Sequence, residues 1–424
     1  MSCLSASRLG RCALLVLLAA IGSPAPAQAP LTLAEALRIA ETRALSVSAL
    51  DAASRASREL AVSAGQLPDP VLRAGVDNLP INGPDAFSLD RDFMTMRRIG
   101  LMQEYVSSAK RNARQQREEL EVRRWSAEAD MSRAEIRADV ATAWYDRLFA
   151  RRVEELQQGL KEEIAMQRRA TQSQVASGKV STADVLMIDA LLVQAEDRVI
   201  AGRRQQQIAT ARLARWLGDD ALRTPAGDAG LPDDRDIQAL PAHDLHNIPQ
   251  LRALAQQLDA ASADVRVAEE NRNPNWSWEI AYQQRGPAYS NMVSVGVSIP
   301  LPISRAERQD REVAARLAQR DQARDQLDDA RRRHAAELST MRLEWEGLRE
   351  RQRQLETALL PIVRQRVEVL MAAYGSGQQT LTAVLEARRA EVDARVSIVD
   401  LEREAARVWA RLRYTYLETE RTAP

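Results

Sequence analysis

Few residues of this chain have the type and spacing to do chemistry. His243 and His246, with Asp244 between them, are the one clustered set of metal-ligating side chains, and His334 stands apart. A catalytic zinc requires three well-placed ligands on rigid elements. This pair sits in a stretch flanked by Pro241 and Pro249, so it reads as a loop contact and no metal site is assigned. Met94, Met96 and Met102 offer thioether sulfur, which selects Cu(I). Methionine more often serves as an adaptable apolar filler, and that is the reading adopted for these three. There is no phosphate-cradling glycine loop, no nucleophile elbow and no pair of histidines one helical turn apart around a glutamate. The expectation is no enzyme and no cofactor.

The elements that carry these residues are unlike those of a compact globule. Of the 424 residues only 4% are aromatic while 28% are charged, with 59 Lys and Arg against 59 Asp and Glu. A formal net charge of zero gives no electrostatic case for nucleic acid as a partner. Both signs are interleaved along Ala-, Leu- and Gln-rich stretches, the composition of long solvated helices packed along a narrow apolar seam. At the N-terminus Arg8 and Arg11 precede the apolar run from Ala13 to Ile21, followed by small residues through Ala29. This is the pattern of a cleaved signal peptide over 1–27, and the run is too short to span a bilayer as a helix. Both cysteines, Cys3 and Cys12, fall inside it and neither follows the apolar run, so the exported chain is expected to have no disulfide and no lipid anchor.

The chain repeats itself. Ser177-Gly178-Lys179-Val180-Ser181-Thr182-Ala183-Asp184-Val185-Leu186 is echoed by Ser376-Gly377-Gln378-Gln379-Thr380-Leu381-Thr382-Ala383-Val384-Leu385, and Ala211-Arg212-Leu213 recurs as Ala410-Arg411-Leu412. Leu67-Pro68-Asp69-Pro70 and Asn273-Pro274-Asn275 each separate a helical stretch from a strand-like one. Two structural repeats, 28–230 and 231–424, are therefore expected, each running helix, strand, strand, long helix, turn, helix. Apolar spacing of three and four predicts helices over 34–66, 107–175, 181–217, 248–272, 303–376 and 381–417, with a kink at Pro361. Two short helices stacked end to end would match the length of one long helix, and the turns at Gly178 and Gly377 would share one tip.

Between the helices the period drops to two. Trp276, Trp278, Ile280 and Tyr282 alternate with Ser277, Glu279, Ala281 and Gln283, and Val293, Val295, Val297 and Ile299 alternate with small or polar residues. The first half offers strands at about 71–77 and 98–106 to match those at about 276–284 and 292–300. A soluble sandwich uses the same alternation, but export together with interfacial aromatics favours a lipid-facing barrel. Four strands cannot close around a lumen, and backbone groups in lipid must all be paired, so three copies giving twelve strands are required.

At this point the order of elements resembles the TolC-like outer-membrane efflux family across nearly the whole exported chain. The motifs that carry the likeness are Pro68-Asp69-Pro70, Gly100-Leu101-Met102-Gln103-Glu104-Tyr105 with Ala109-Lys110-Arg111, and Tyr374-Gly375-Ser376-Gly377 before Val384-Leu385-Glu386-Ala387. The resemblance implies a mainly helical protomer with a small β part. Three protomers would form a twelve-stranded transmembrane β-barrel in the outer membrane of a Gram-negative bacterium, continued by a long periplasmic α-barrel. It further implies an inner-membrane RND-type pump and a periplasmic adaptor as partners, docking at the tip turns, and a periplasmic constriction at Tyr374, Gln379, Glu386 and Asp184. Gln379 stands where well-known members carry arginine, and Ala383 where they carry a second acid. The alternative for Asp184 and Glu386 is a solvated helix face. Asp77-Asn78-Leu79-Pro80, the stretch from Asp92 to Gly100 and Lys110-Arg111 are similar to the heavy-metal cation branch, which implies metal cations as cargo. The rival from another class is a periplasmic coiled-coil adaptor or scaffold, which would show one helical hairpin flanked by β modules instead of two hairpins and four strands.

Overall fold

The computed structural model describes residues 29–175, 181–227, 231, 237 and 247–417; the tip turn at Gly178 and the stretch holding His243, Asp244 and His246 lie outside the described residues. Helix α1 (Leu33–Arg43) is opened by Thr32, whose hydroxyl accepts from the Glu35 amide at 3.2 Å. The unbroken helix expected over 34–66 divides at Ala44, where ψ is 94° and α2 (Leu45–Ala64) starts afresh. The break lets Ala40, Ala44 and Val47 all reach one core. Helix α3 (Ser108–Val175) runs for 68 residues, about 100 Å at 1.5 Å per residue. Its first turn is capped by the Ser107 hydroxyl, which accepts from the Lys110 amide at 3.2 Å.

Helix α4 (Thr182–Leu217) ends in a short 3-10 turn, Gly218–Leu222, and α5 (Pro249–Glu270) starts with proline in its first turn, where the missing N–H costs nothing. The last long helix is α6 (Gln309–Gln354), followed by a π turn at Leu355–Leu359 and α7 (Leu360–Gly375). The disturbance expected at Pro361 thus takes the form of a widened turn just ahead of it. Proline lacks an N–H and its ring collides with the carbonyl four residues back, and the wider turn relieves both. Helix α8 (Leu381–Leu412) finishes in a second π turn at Arg413–Leu417. No helix among the described residues is long and apolar enough to cross a membrane.

The helices form a curtain one layer thick. Helices α2 and α4 follow one another along one flank of α3, and α5 and α8 follow one another along its other flank. Beyond them lie α6 and α7. Strands β1 (Val71–Asp77), β2 (Met96–Tyr105), β3 (Trp276–Gln284) and β4 (Met292–Ser298) make one antiparallel sheet in the order β1-β2-β3-β4. Its central pairing, β2 with β3, joins the two halves of the chain in register Ile99 opposite Tyr282 and Leu101 opposite Ile280. Strands β1 and β4 have one neighbour each among the described residues. The open edges of the sheet therefore continue into the open edges of the curtain, α2 and α4 on one side and α6 on the other.

The scarce large aromatics gather at one level, midway along α3. Trp144, Tyr145, Phe149, Trp345 and Trp409 pack with Leu31, Leu213, Leu217 and Leu412. Trp345 is 1% exposed and lies 6.5 Å from the Trp409 ring, and the Trp144 indole N–H donates to the Leu31 carbonyl at 3.1 Å. A residue-wide void here has no room to collapse, because four helices converge on it. Replacement of Trp345 by alanine is expected to cost about 3–5 kcal/mol; a melting temperature within a degree of the parent protein would show that this level does not hold the helices together.

Candidate channel surfaces

Strand registry sorts the sheet residues onto two faces. One face carries Leu72, Ala74 and Val76 of β1, Ile99, Leu101 and Tyr105 of β2, Trp276, Trp278, Ile280 and Tyr282 of β3, and Val293, Val295 and Val297 of β4. Nearly all are exposed, Val295 by 75%, while Ile299 lies just past β4 and is also exposed. A predominantly apolar face of this extent, broken by Gln103, marks an interaction or membrane surface. At the helical end Tyr105 and Trp276 pack with ring centroids 5.2 Å apart, a pair suited to an interface where one end is apolar and the other wet. Ile99 with Tyr282, Ile280 with Val295, Tyr282 with Val293 and Trp278 with Val297 are β-branched or aromatic pairs of the kind that stabilise a pleated surface, while Gln103 and, at the loop end, Arg97 and Gln284 are the polar members of the face.

The opposite face is polar and internally paired. Glu279 accepts from Arg73 at 3.2 Å and from Arg98, and Arg98 also lies 3.8 Å from Asp77. Gly100 permits the closeness of β2 and β3, since a Cβ there would stand 2.9 Å from the Ala281 Cβ. Just past the strands, the ammonium of Lys110 donates to the Asn273 carbonyl at 2.7 Å and to Asn275 Oδ1 at 2.8 Å, while Asn275 donates to Glu104 at 2.8 Å. Lys110 is 4% exposed, and burial pulls its pKa down. This knot ties the foot of α3 to the foot of β3, and nothing in local spacing announced it. Of the three methionines, Met102 lies against Arg73, with the guanidinium 3.1 Å from its sulfur, Met96 pairs with Asp77 at the strand end, and Met94 is exposed in the loop before β2. They do not converge.

At the far end, α7 closes with a left-handed glycine. Gly377 has φ +77°, its amide donates to the Tyr374 carbonyl at 3.0 Å, and the Gln378 amide donates to the Ala373 carbonyl at 2.8 Å. These two bonds make a Schellman cap, which strongly favours glycine at that position. Tyr374 is 37% exposed, and Gln379 is exposed in the turn. Asp184 serves the backbone: Ser181 Oγ accepts from the Asp184 amide at 3.2 Å, and the Asp184 carboxylate accepts from the Ser181 hydroxyl at 2.8 Å and amide at 3.3 Å. The matching cap on α8 is Thr380, which accepts from the Ala383 amide at 3.3 Å; alanine there cannot complete the reciprocal bond. Glu386 is exposed with no ion pair among the described residues. Ile188 and Leu385 share one apolar cluster with Leu160 and Ile164, so Asp184 and Glu386 are brought to the same end without touching.

The strongest electrostatic feature of this end is Glu391 on α8, absent from the sequence reading. It is 3% exposed and accepts from Arg388 at 2.8 Å and from Arg395, with Arg364 of α7 at 3.6 Å. Burial raises its pKa, but the Arg388 hydrogen bond and the Arg395 charge outweigh burial and hold the carboxyl below its usual range. The flanking arginines at three and four residues were legible as helical neighbours; Arg364 was not. His334 is buried midway along α6, donating through Nε2 to Gln250 at 2.8 Å and meeting the Tyr416 hydroxyl at 3.1 Å through Nδ1. Burial lowers its pKa, which suits a neutral structural histidine. At the same level a cavity of about 1160 Å³ opens between α3, α4, α6 and α8, walled by both signs, with buried Asp146 held by Arg407 and, at 3.6 Å, Arg212. No cluster of three or more His, Cys, Asp or Glu side chains among the described residues has metal-site spacing.

Residues 240–415 match a family model described as outer membrane efflux protein. The chain is 24% identical over 386 residues to the cobalt-zinc-cadmium resistance protein CzcC of Cupriavidus metallidurans, covering 88% of this chain and 87% of that one. Its fold matches the outer-membrane channel OprN with a TM-score of 0.73 and 19% identity, covering 91% of this chain and 89% of that one. It also matches the Campylobacter jejuni CmeC outer membrane channel with a TM-score of 0.75 and 13% identity, over 92% and 87% of the two chains.

Because the folded Glu391 carboxyl has a depressed pKa, its contribution to stability is present above the unfolded value near 4.3 and is lost as pH falls through the folded value. Glu391→Gln should therefore melt earlier than the parent at pH 7 by about 1–3 kcal/mol, with the gap closing in acid. A pH-independent gap would contradict the assignment. Residues 240–415 thus match the outer membrane efflux protein model, and the fold over nearly the whole chain is that of solved outer-membrane channels.

Proposed function

We propose that three copies of this chain, freed of residues 1–27, close into one duct that spans the outer membrane and reaches into the periplasm. The observation that carries this reading is a sheet with one continuous apolar face and two unpartnered edges that line up with the open edges of the helical curtain. Each unpaired backbone group in hydrocarbon costs several kcal/mol, so β1 must find β4 of a second copy, and three copies of a four-stranded sheet supply twelve strands. The repeats 28–230 and 231–424 then act as two hairpin units of one tube wall. The apolar face meets outer-membrane lipid, and the Arg73, Arg98 and Glu279 face meets water in the lumen.

The duct conducts passively, receiving its cargo from an inner-membrane RND-type pump through a periplasmic adaptor that docks on the turns at Gly178 and Gly377. Tyr374, Gln379, Asp184 and Glu386 line the constriction near that end, with Asp184 serving also as a helix cap. Heavy-metal cations are the proposed cargo. Support comes from the likeness to a cobalt-zinc-cadmium resistance protein and from the resemblance of Asp77-Asn78-Leu79-Pro80 and Lys110-Arg111 to that branch.

Three measurements test the reading. Val295→Asp places a charge at the middle of the lipid-facing strand at a cost of about 2–4 kcal/mol, so the heat-sensitive trimer on gels should be lost; normal trimer yield, or a parent chain that is monomeric and soluble without detergent, would return the scaffold alternative. In planar bilayers the double variant Asp184→Ala and Glu386→Ala should change single-channel conductance or its block by divalent cations, and unchanged conductance would leave both acids as surface charges. Deletion in the native host should sensitise cells to zinc, cobalt or cadmium, whereas sensitivity confined to organic compounds would reject the metal cargo.

A further inference from the structure

One charged side chain stands on the apolar face of the sheet. Arg97 of β2 shares that face with Ile99, Leu101 and Tyr105, opposite Val76 of β1 and Gln284 of β3. It lies at the loop end of the sheet, eight residues and roughly 27 Å along the strand from Tyr105, which a barrel's strand tilt of about 40° turns into roughly 20 Å of height, close to that of an apolar band of about 25 Å. If Tyr105 and Trp276 mark the helical-side interface, Arg97 lies at headgroup level on the other side. Strand β2 is an interior strand, so a neighbouring protomer joining at β1 or β4 does not cover it.

Arg97 is also unlike the arginines around it. Arg98, on the opposite face, is paired with Glu279 and Asp77, Arg91 lies 3.7 Å from Asp85, and Arg285 donates to the Phe93 carbonyl. No ion pair or hydrogen bond holds the Arg97 guanidinium among the described residues, and its Nε is buried without a hydrogen-bond partner. A planar cation set beside apolar side chains at headgroup depth has one abundant complement in a membrane, the phosphate of a lipid, which it can grip through two parallel hydrogen bonds.

We propose that Arg97, with Gln284 beside it, is a binding site for the phosphate of an outer-leaflet glycolipid of the lipid A type, one site per protomer. The inference rests on the outer-membrane duct reading. Purified trimer in detergent is titrated with diphosphorylated lipid A and with its dephosphorylated form, and bound lipid is counted by native mass spectrometry. The parent should prefer the phosphorylated form, and Arg97→Gln should weaken its binding about tenfold, the loss expected of one charge-assisted contact. Arg97→Lys should recover part of it, and Arg91→Gln should leave it unchanged. Equal binding by Arg97→Gln, equal binding of the dephosphorylated lipid, or saturation by inorganic phosphate with no gain from the acyl chains overturns the proposal. Single-channel conductance of Arg97→Gln separates the two readings: a conducting trimer whose lipid binding ignores Arg97 rejects this site alone, whereas a chain that never inserts rejects the duct.

Discussion

Backbone pairing at the edges of the sheet governs this architecture. In the proposed duct, the four-stranded sheet must satisfy the N–H and C=O groups of β1 and β4, and neither edge can reach the other within a single protomer. The helical curtain has the same two edges, because each strand runs directly into a helix at the same position in the layer: β1 from α2, β2 into α3, β3 from α5 and β4 into α6. A closure that satisfies the sheet therefore also closes the tube. The Lys110 knot at the feet of α3 and β3 keeps these two parts of the wall in register.

A tube wall one helix thick explains the composition. With water on both sides of the wall, each helix has only narrow seams to bury, and these are filled with alanine, valine and leucine. The buried aromatics gather at the level of Trp144, Trp345 and Trp409, where α1, Ala221, Ala226, Leu231 and Ile237 between α4 and α5, and the closing π turn add a second layer. Elsewhere Arg–Asp and Arg–Glu pairs cover the surface, and such exposed pairs contribute little each. They keep a long, thin wall soluble, while packing in the seams provides the stability. The open, mixed-sign cavity around Asp146 has the same character and presents no shaped pocket for a ligand.

The tip shows how one residue can belong to two arguments. Asp184 completes a capping box with Ser181, so its carboxylate is held by the helix it starts, and a role at the constriction must be compatible with that duty. The matching turn of the second half is capped more weakly by Thr380, but its Schellman glycine makes the reversal tight. Glu391, ringed by Arg364, Arg388 and Arg395, locks α7 to α8 just behind that reversal.

Much of this was legible in the chain by itself, because it rests on local periodicity. Alternation at Trp276, Trp278, Ile280 and Tyr282 identified both a strand and its apolar side, and spacing of three and four marked each helix to within a few residues. The proline at 361 announced a disturbance without revealing that it would be a π turn, since the choice between kink and widened turn depends on what the next helix must pack against. Ala44 gave no local signal at all; its break follows from the position of the core. Only the tertiary structure decided that β2 pairs with β3, with Glu104 opposite Ser277, that Lys110 is buried at that junction, and that Arg364 completes the ring around Glu391. Pairings of this kind join residues far apart in the chain, and nothing in the spacing of either partner encodes the other.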